Sequence, residues 1–96
     1  MEEKIYRPVY RFLTQDHDGN VAWHLDGHMP IADEETKMYR SRSRFVASDG
    51  ARNENWRNAF IDIEAVKRGE YGYTFEDGIL KRVPAEGGDP KEMYKL

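Results

Sequence analysis

Asn53-Glu54-Asn55-Trp56-Arg57-Asn58-Ala59-Phe60-Ile61-Asp62-Ile63-Glu64-Ala65-Val66-Lys67-Arg68 is the stretch on which the fold class turns. Trp56, Ala59, Phe60, Ile63 and Val66 recur at helical spacing, which places them on one face of an amphipathic helix. Ser48 to Asn53 offers amino-terminal caps, and Lys67-Arg68 before Gly69 suits a helix carboxyl end. The competing reading takes Phe60-Ile61-Asp62-Ile63-Glu64 as a strand, because Ile61 and Ile63 also alternate with acids. The helix is the favoured reading, and the rest of the chain reads as strands around it.

On the amino-terminal side, Ile5 to Leu13 is rich in β-branched and aromatic residues and predicts a strand, with Pro8 marking an edge or a bulge. Asp16-His17-Asp18-Gly19-Asn20 is a turn, and Val21, Trp23 and Leu25 alternate after it, so the two strands form a hairpin. Gly27 and Pro30 break the second strand, and Ile31 to Lys37 connects it to Tyr39-Arg40-Ser41-Arg42-Ser43-Arg44-Phe45-Val46. If that segment is extended, Arg40, Arg42 and Arg44 form one cationic row with Tyr39, Ser41, Ser43 and Phe45 opposite. On the carboxyl side, Tyr71 to Phe75 and Ile79 to Val83 predict a second hairpin about Glu76-Asp77-Gly78. The expectation is therefore α+β: a small antiparallel sheet of about five strands with one helix packed on it. Trp56, Phe60 and Ile63 would meet Trp23, Leu25 and Phe75 in its core. Residues 1–84 are expected to form one globular domain and 85–96 a mobile tail, unless Met93, Tyr94 and Leu96 dock.

Ninety-six residues allow one modest core and not two. Twelve per cent aromatic residues argue for a folded chain despite 34% charged residues. The absence of cysteine excludes disulfides, thiolate metal sites and thiol nucleophiles, and leans towards the cytoplasm. Met1-Glu2-Glu3-Lys4 does not resemble a secretory signal, and no run is long enough to span a bilayer. The net charge of −3 conceals a polarity. From Thr36 to Arg57 six cations (Lys37, Arg40, Arg42, Arg44, Arg52, Arg57) face two anions (Asp49, Glu54), a balance of +4, so the remainder carries −7. A basic centre in an acidic protein fits an acidic partner or a polyanion, and the acidic remainder argues against general affinity for duplex DNA.

Catalytic and metal patterns are weak. His17, His24 and His28 lie near Asp16, Asp18 and Asp26, but Gly27 and Pro30 oppose the helix that would bring two histidines together, and no H-E-x-x-H signature is present. None of Ser41, Ser43 and Ser48 sits in a G-x-S-x-G turn. Asp62 with Glu64, and Glu76 with Asp77, are neighbours that a highly charged chain produces by chance. Gly69-Glu70-Tyr71-Gly72 and Glu86-Gly87-Gly88-Asp89 lack the spacing of phosphate or dinucleotide loops. The chain is thus expected to be no enzyme and to carry no cofactor or metal.

Binding is the better reading. Arg40, Arg42, Arg44, Lys37 and Arg52 supply cations, Tyr39 an aromatic, and arginine with aromatics is the composition of interaction hot spots. In general character, a short, acidic, cysteine-free domain with no catalytic motif, the chain resembles small inhibitors and accessory proteins of bacteria and their phages, anti-CRISPR proteins included. The resemblance rests on no motif and transfers no residue. It implies a non-enzymatic module that binds another protein, such as a nucleic-acid-processing complex, as a stoichiometric inhibitor. The alternative is a single-stranded nucleic-acid binder, with Arg40, Arg42 and Arg44 on phosphates and Tyr39, Phe45 or Tyr71 and Tyr73 stacking on bases.

Overall fold

A computed structural model describes residues 9–85; the start of the first predicted strand and the tail 86–96 lie outside the described residues. The elements run β1 (Tyr10–Gln15), β2 (Asn20–Leu25), β3 (Ile31–Asp33), β4 (Met38–Arg40) and β5 (Phe45–Asp49). A 3-10 turn (Trp56–Asn58), β6 (Phe60–Asp62), α1 (Ile63–Lys67), β7 (Tyr71–Glu76) and β8 (Ile79–Pro84) follow. A central antiparallel sheet has the order β5-β2-β1-β6, and β3-β4 and β7-β8 are separate two-stranded sheets.

The α+β expectation is overturned: 49% of the described residues are in strands and 10% are helical, and eight strands form three sheets. The residues expected in one helix divide into three elements. Phe60, Ile61 and Asp62 pair with Thr14, Leu13 and Phe12, and the carbonyl of Ala59 accepts the Gln15 amide at 3.0 Å. Extended backbone sends Ile61 to one face of the sheet, fully buried, and Phe60 to the other; a helix would have turned Ile61 away from the core. Weak helical propensity in an asparagine-rich segment yields here to strand pairing with β1. The helix begins only where Asp62 caps it, its carboxylate accepting the Glu64 amide at 3.0 Å, and it stops after Lys67 ahead of Gly69, as its carboxyl-end signal predicts.

Register assigns the faces. Leu13 lies opposite Trp23 and Ile61, and Trp23 opposite Phe45, so these four share a face. That face carries the apolar core of Leu13, Val21, Ile61, Ala59, Val66 and Leu80, covered by α1 and β7-β8, with Tyr71 and Tyr73 at its margin. On the opposite face, Phe12 and Phe60 meet at 5.6 Å, and Tyr39 from β4 stands over Trp56 and Phe60 at 5.4 and 5.9 Å. Trp56 and Val66 therefore sit on opposite sides of the sheet, and Phe75, expected in the core, is 47% exposed.

Both predicted hairpins form, at Asp16–Asn20 and at Glu76–Gly78. Their turns meet Gly50 and Ala51, just after β5, around Gln15, whose side chain is buried and uses every hydrogen-bonding site. Its Nε2 donates to the carbonyls of Gly19 and Gly78, each at 2.9 Å, and its Oε1 accepts from Asn53 Nδ2 at 2.9 Å and the Leu80 amide at 2.8 Å. Glycine is needed at this junction: a Cβ on Gly50 would lie 2.4 Å from the Gly78 carbonyl, and Gly19 combines φ of 103° with a Cβ position 2.5 Å from the Gly50 carbonyl. Among the described residues no helix is long and apolar enough to cross a membrane.

Candidate binding groove

The arginine segment is not one strand. β4 ends at Arg40, the chain turns through Arg42 and Ser43, and β5 starts at Phe45 in a different sheet. Two serines hold the turn to β2: Ser43 Oγ accepts the Leu25 amide at 2.8 Å, and Ser41 Oγ lies 2.6 Å from His24 Nδ1. Arg44 is drawn inward by Asp16, which is buried; its Nη2 meets Asp16 Oδ2 at 2.6 Å while Asp16 Oδ1 accepts the Tyr39 amide at 2.8 Å. A carboxylate without water requires a cation and hydrogen bonds, and this demand breaks the row.

The six residues expected to bind consequently have different fates. Tyr39 is 3% exposed, its hydroxyl bonded to the carbonyls of Trp56 and Arg57 at 3.0 Å, and burial pushes its hydroxyl up to about 12. Arg44 is a structural partner of Asp16. Lys37 occupies a left-handed position (φ 59°) in the β3-β4 turn, and Arg52 is exposed in the loop after β5. Only Arg40 and Arg42 come together, on the wall of a groove of about 680 Å³.

This groove lies between the segment after β2, the β3-β4 hairpin and the Ser41–Arg44 turn, and Met29, Ile31 and Ala32 supply its apolar surface. Met29 is 63% and Ile31 70% exposed, large values for apolar side chains beside a cavity. The sheet geometry brings them there: Gly27, with φ of 91°, reverses the chain after β2, and Ile31 pairs with Arg40. Charge is unevenly balanced on the rim. Arg40 Nε binds Asp33 Oδ2 at 2.6 Å, and Asp33 also accepts the Glu35 amide at 2.9 Å; that amide chiefly, with Arg40 adding, holds its carboxyl below the ordinary range. Glu34 is ion-paired with Arg57, which lowers its carboxyl in the same sense. Arg42 is exposed and has no ion-pair or hydrogen-bond partner among the described residues, so the groove presents one uncompensated cation.

Ser41 and His24 invite a catalytic reading, because Ser41 lines the groove and His24 bonds Thr14 Oγ1 at 2.8 Å through its other nitrogen. Burial, reinforced by the charge of Arg44, pushes the His24 imidazole down to about 4. A base this weak gains little from accepting a hydroxyl proton, and its second nitrogen meets a hydroxyl where an imidazolium would need a carboxylate. The trio is better understood as a buried strut that fixes the groove wall. The three histidines are separate as well: His17 approaches Glu54 at 3.4 Å, His24 is enclosed, and His28 borders the groove. Among the described residues no group of three or more histidine, aspartate or glutamate side chains is placed to hold a metal ion.

Sequence reasoning missed Met29 and Ile31, although an apolar pair flanking Pro30 in a loop was a usable signal. Comparison with protein-family models, curated proteins and solved structures finds no match for this chain.

Proposed function

We propose that this chain is a non-enzymatic binding module that captures a segment of another protein in the Met29–Ile31–Arg42 groove, and acts as a stoichiometric inhibitor of a nucleic-acid-processing complex. The observation that carries the reading is the coexistence in one groove of two highly exposed apolar side chains and a guanidinium with no partner among the described residues. Such a surface suits a segment that offers an apolar anchor followed by a carboxylate, since arginine binds carboxylates in pairs of hydrogen bonds. The acid-rich remainder of the chain supports the choice of target, because carboxylates can occupy a basic nucleic-acid channel. A single-stranded nucleic-acid interface has less support: Arg44 and Tyr39 are engaged internally and Arg40 is paired with Asp33, which removes most of the expected contacts.

The test compares capture from host lysate, with and without nuclease treatment, by the wild type, by Met29→Ser/Ile31→Ser and by Arg42→Glu. All three substitutions are at exposed positions and should leave stability within about 0.5 kcal/mol. A protein partner retained by the wild type and lost by both variants supports the proposal. Capture unchanged in both variants, or recovery of nuclease-sensitive nucleic acid alone, overturns it.

A further inference from the structure

The β3-β4 hairpin leaves one strand edge unused, and that edge borders the groove. Its inner strand is β4. The Tyr39 amide donates to Asp16 Oδ1 at 2.8 Å, the Lys37 carbonyl just before β4 accepts the His17 amide at 3.0 Å, and the Tyr39 hydroxyl donates to the carbonyls of Trp56 and Arg57. β3 is therefore the outer strand, paired on one side only. The Tyr39 amide also fixes which way the backbone of β3 points. In an antiparallel ladder, directly opposed residues alternate between exchanging two hydrogen bonds and exchanging none. Tyr39 gives its N–H to Asp16, so the Ala32–Tyr39 pair exchanges none, and the N–H and C=O of Ala32 point away from β4. Ala32 is exposed and lines the groove, and neither group has another hydrogen-bond partner among the described residues. The usual guards of a free edge are missing here: β3 carries no lysine, its one charged residue, Asp33, is held by Arg40, and Pro30 before it is buried.

We propose that the protein segment captured in the groove binds as an extended strand added to the free edge of β3. This inference rests on the groove reading above and names the conformation and charge of the occupant. The added strand exchanges backbone hydrogen bonds with Ala32, and every second side chain stands on the face that carries Ile31, Asp33 and Arg40. There an apolar side chain covers Ile31 and Met29, and an acidic one pairs with Arg42. Charge complementarity selects the acid: the two carboxylates on the rim, Asp33 and Glu34, are already paired with Arg40 and Arg57, whereas Arg42 has no partner among the described residues. A helical occupant bonds its own amides and carbonyls and would cover the Ala32 groups without satisfying them, which is costly.

The test uses short linear peptides selected on the full chain from a random displayed library, then synthesised and titrated by fluorescence anisotropy against the wild type, Ala32→Pro and Ala32→Ser. Proline suits an edge position whose N–H faces outward, so Ala32→Pro should unfold cooperatively within about 8 °C of the wild type. The expected peptides carry an acidic residue near an apolar one, lose about tenfold or more in affinity to Ala32→Pro, and stay within about twofold for Ala32→Ser. Single N-methyl groups placed along such a peptide should weaken its binding to the wild type at alternate positions, because an added strand turns only every second amide towards β3. Peptides lost to Arg42→Glu and to Met29→Ser/Ile31→Ser but indifferent to Ala32→Pro, or an N-methyl pattern without alternation, overturn strand addition and leave the groove reading standing. Failure of Ala32→Pro to fold overturns the outward orientation of Ala32, and strand addition with it. Peptides indifferent to all of these variants, or no selected peptide, overturn the groove reading as well.

Discussion

His24 sets a pH limit on the stability of this fold. Its ring is buried between Thr14 and Ser41, and burial, with Arg44 nearby, lowers it from 6.5 to about 4. In the unfolded chain the ring regains its ordinary affinity for protons. Between these values the unfolded state therefore binds more protons than the folded one, so stability is complete above about pH 6.5 and is lost as pH falls towards 4. The full gap corresponds to about 3 kcal/mol. At pH 5 the ratio of the two binding polynomials is about 30, which is about 2 kcal/mol and a sizeable part of the stability of a small domain. Urea unfolding at pH 7.5 and pH 5 measures it; with a slope of about 1 kcal/mol per molar, the wild-type midpoint should fall by about 2 M from this group alone. His24→Gln is less stable at both pH values but lacks the titration, and groups common to both proteins cancel in the difference. Equal losses of stability in wild type and His24→Gln, or a ring that titrates near 6.5 by NMR in the folded protein, would refute the reasoning.

Two other perturbations probe the buried polar framework. Arg44→Met leaves Asp16 uncompensated in the interior and should cost about 3 kcal/mol, whereas Arg44→Met combined with Asp16→Asn should recover at least half of that in a double-mutant cycle followed by urea unfolding. Gln15→Leu preserves bulk but leaves the Leu80 amide without its partner and removes one of two hydrogen bonds from the carbonyls of Gly19 and Gly78 and from the Asn53 amide group, which keep the Gly50 amide, the Ala51 amide and the Leu80 carbonyl; a loss of about 2 kcal/mol is expected by chemical denaturation, and a loss below about 0.5 kcal/mol would contradict the described network.

The parts of the fold legible in the sequence were the local ones. Asp-x-Asp-Gly-Asn and Glu-Asp-Gly specify backbone reversals through residues that tolerate left-handed torsions, and both hairpins form where those signals stand. The segment 53–68 was not legible, because its hydrophobic spacing is compatible with a helix and only the availability of β1 as a partner decides for a strand at Phe60–Asp62. The arginine segment failed for a related reason. Alternation predicts an extended row, but Asp16, 28 residues earlier, is buried and takes Arg44 out of it, and nothing near Arg44 announces this. Of the candidate site, Arg40 and Arg42 were found from composition, while their apolar companions Met29 and Ile31 arrive by the pairing of β3 with β4. Substitution of Arg44 therefore reads out folding and not recognition, because Arg44 belongs to the interior.

The junction at Gln15 also bears on how the chain reaches and keeps its native state. Gly19, Gly50 and Gly78 are separated by 31 and 28 residues, so the glutamine can engage its partners only after two long loops have closed. Closing those loops costs entropy before the contacts repay it, and the kinetics of Gln15→Leu tell when that happens: contacts made after the rate-limiting barrier speed unfolding alone when they are lost, and contacts made before it slow folding. The two hairpin turns and the segment after β5 are thus joined at one side chain, so that the loss of a single glutamine loosens three distant parts of the chain together.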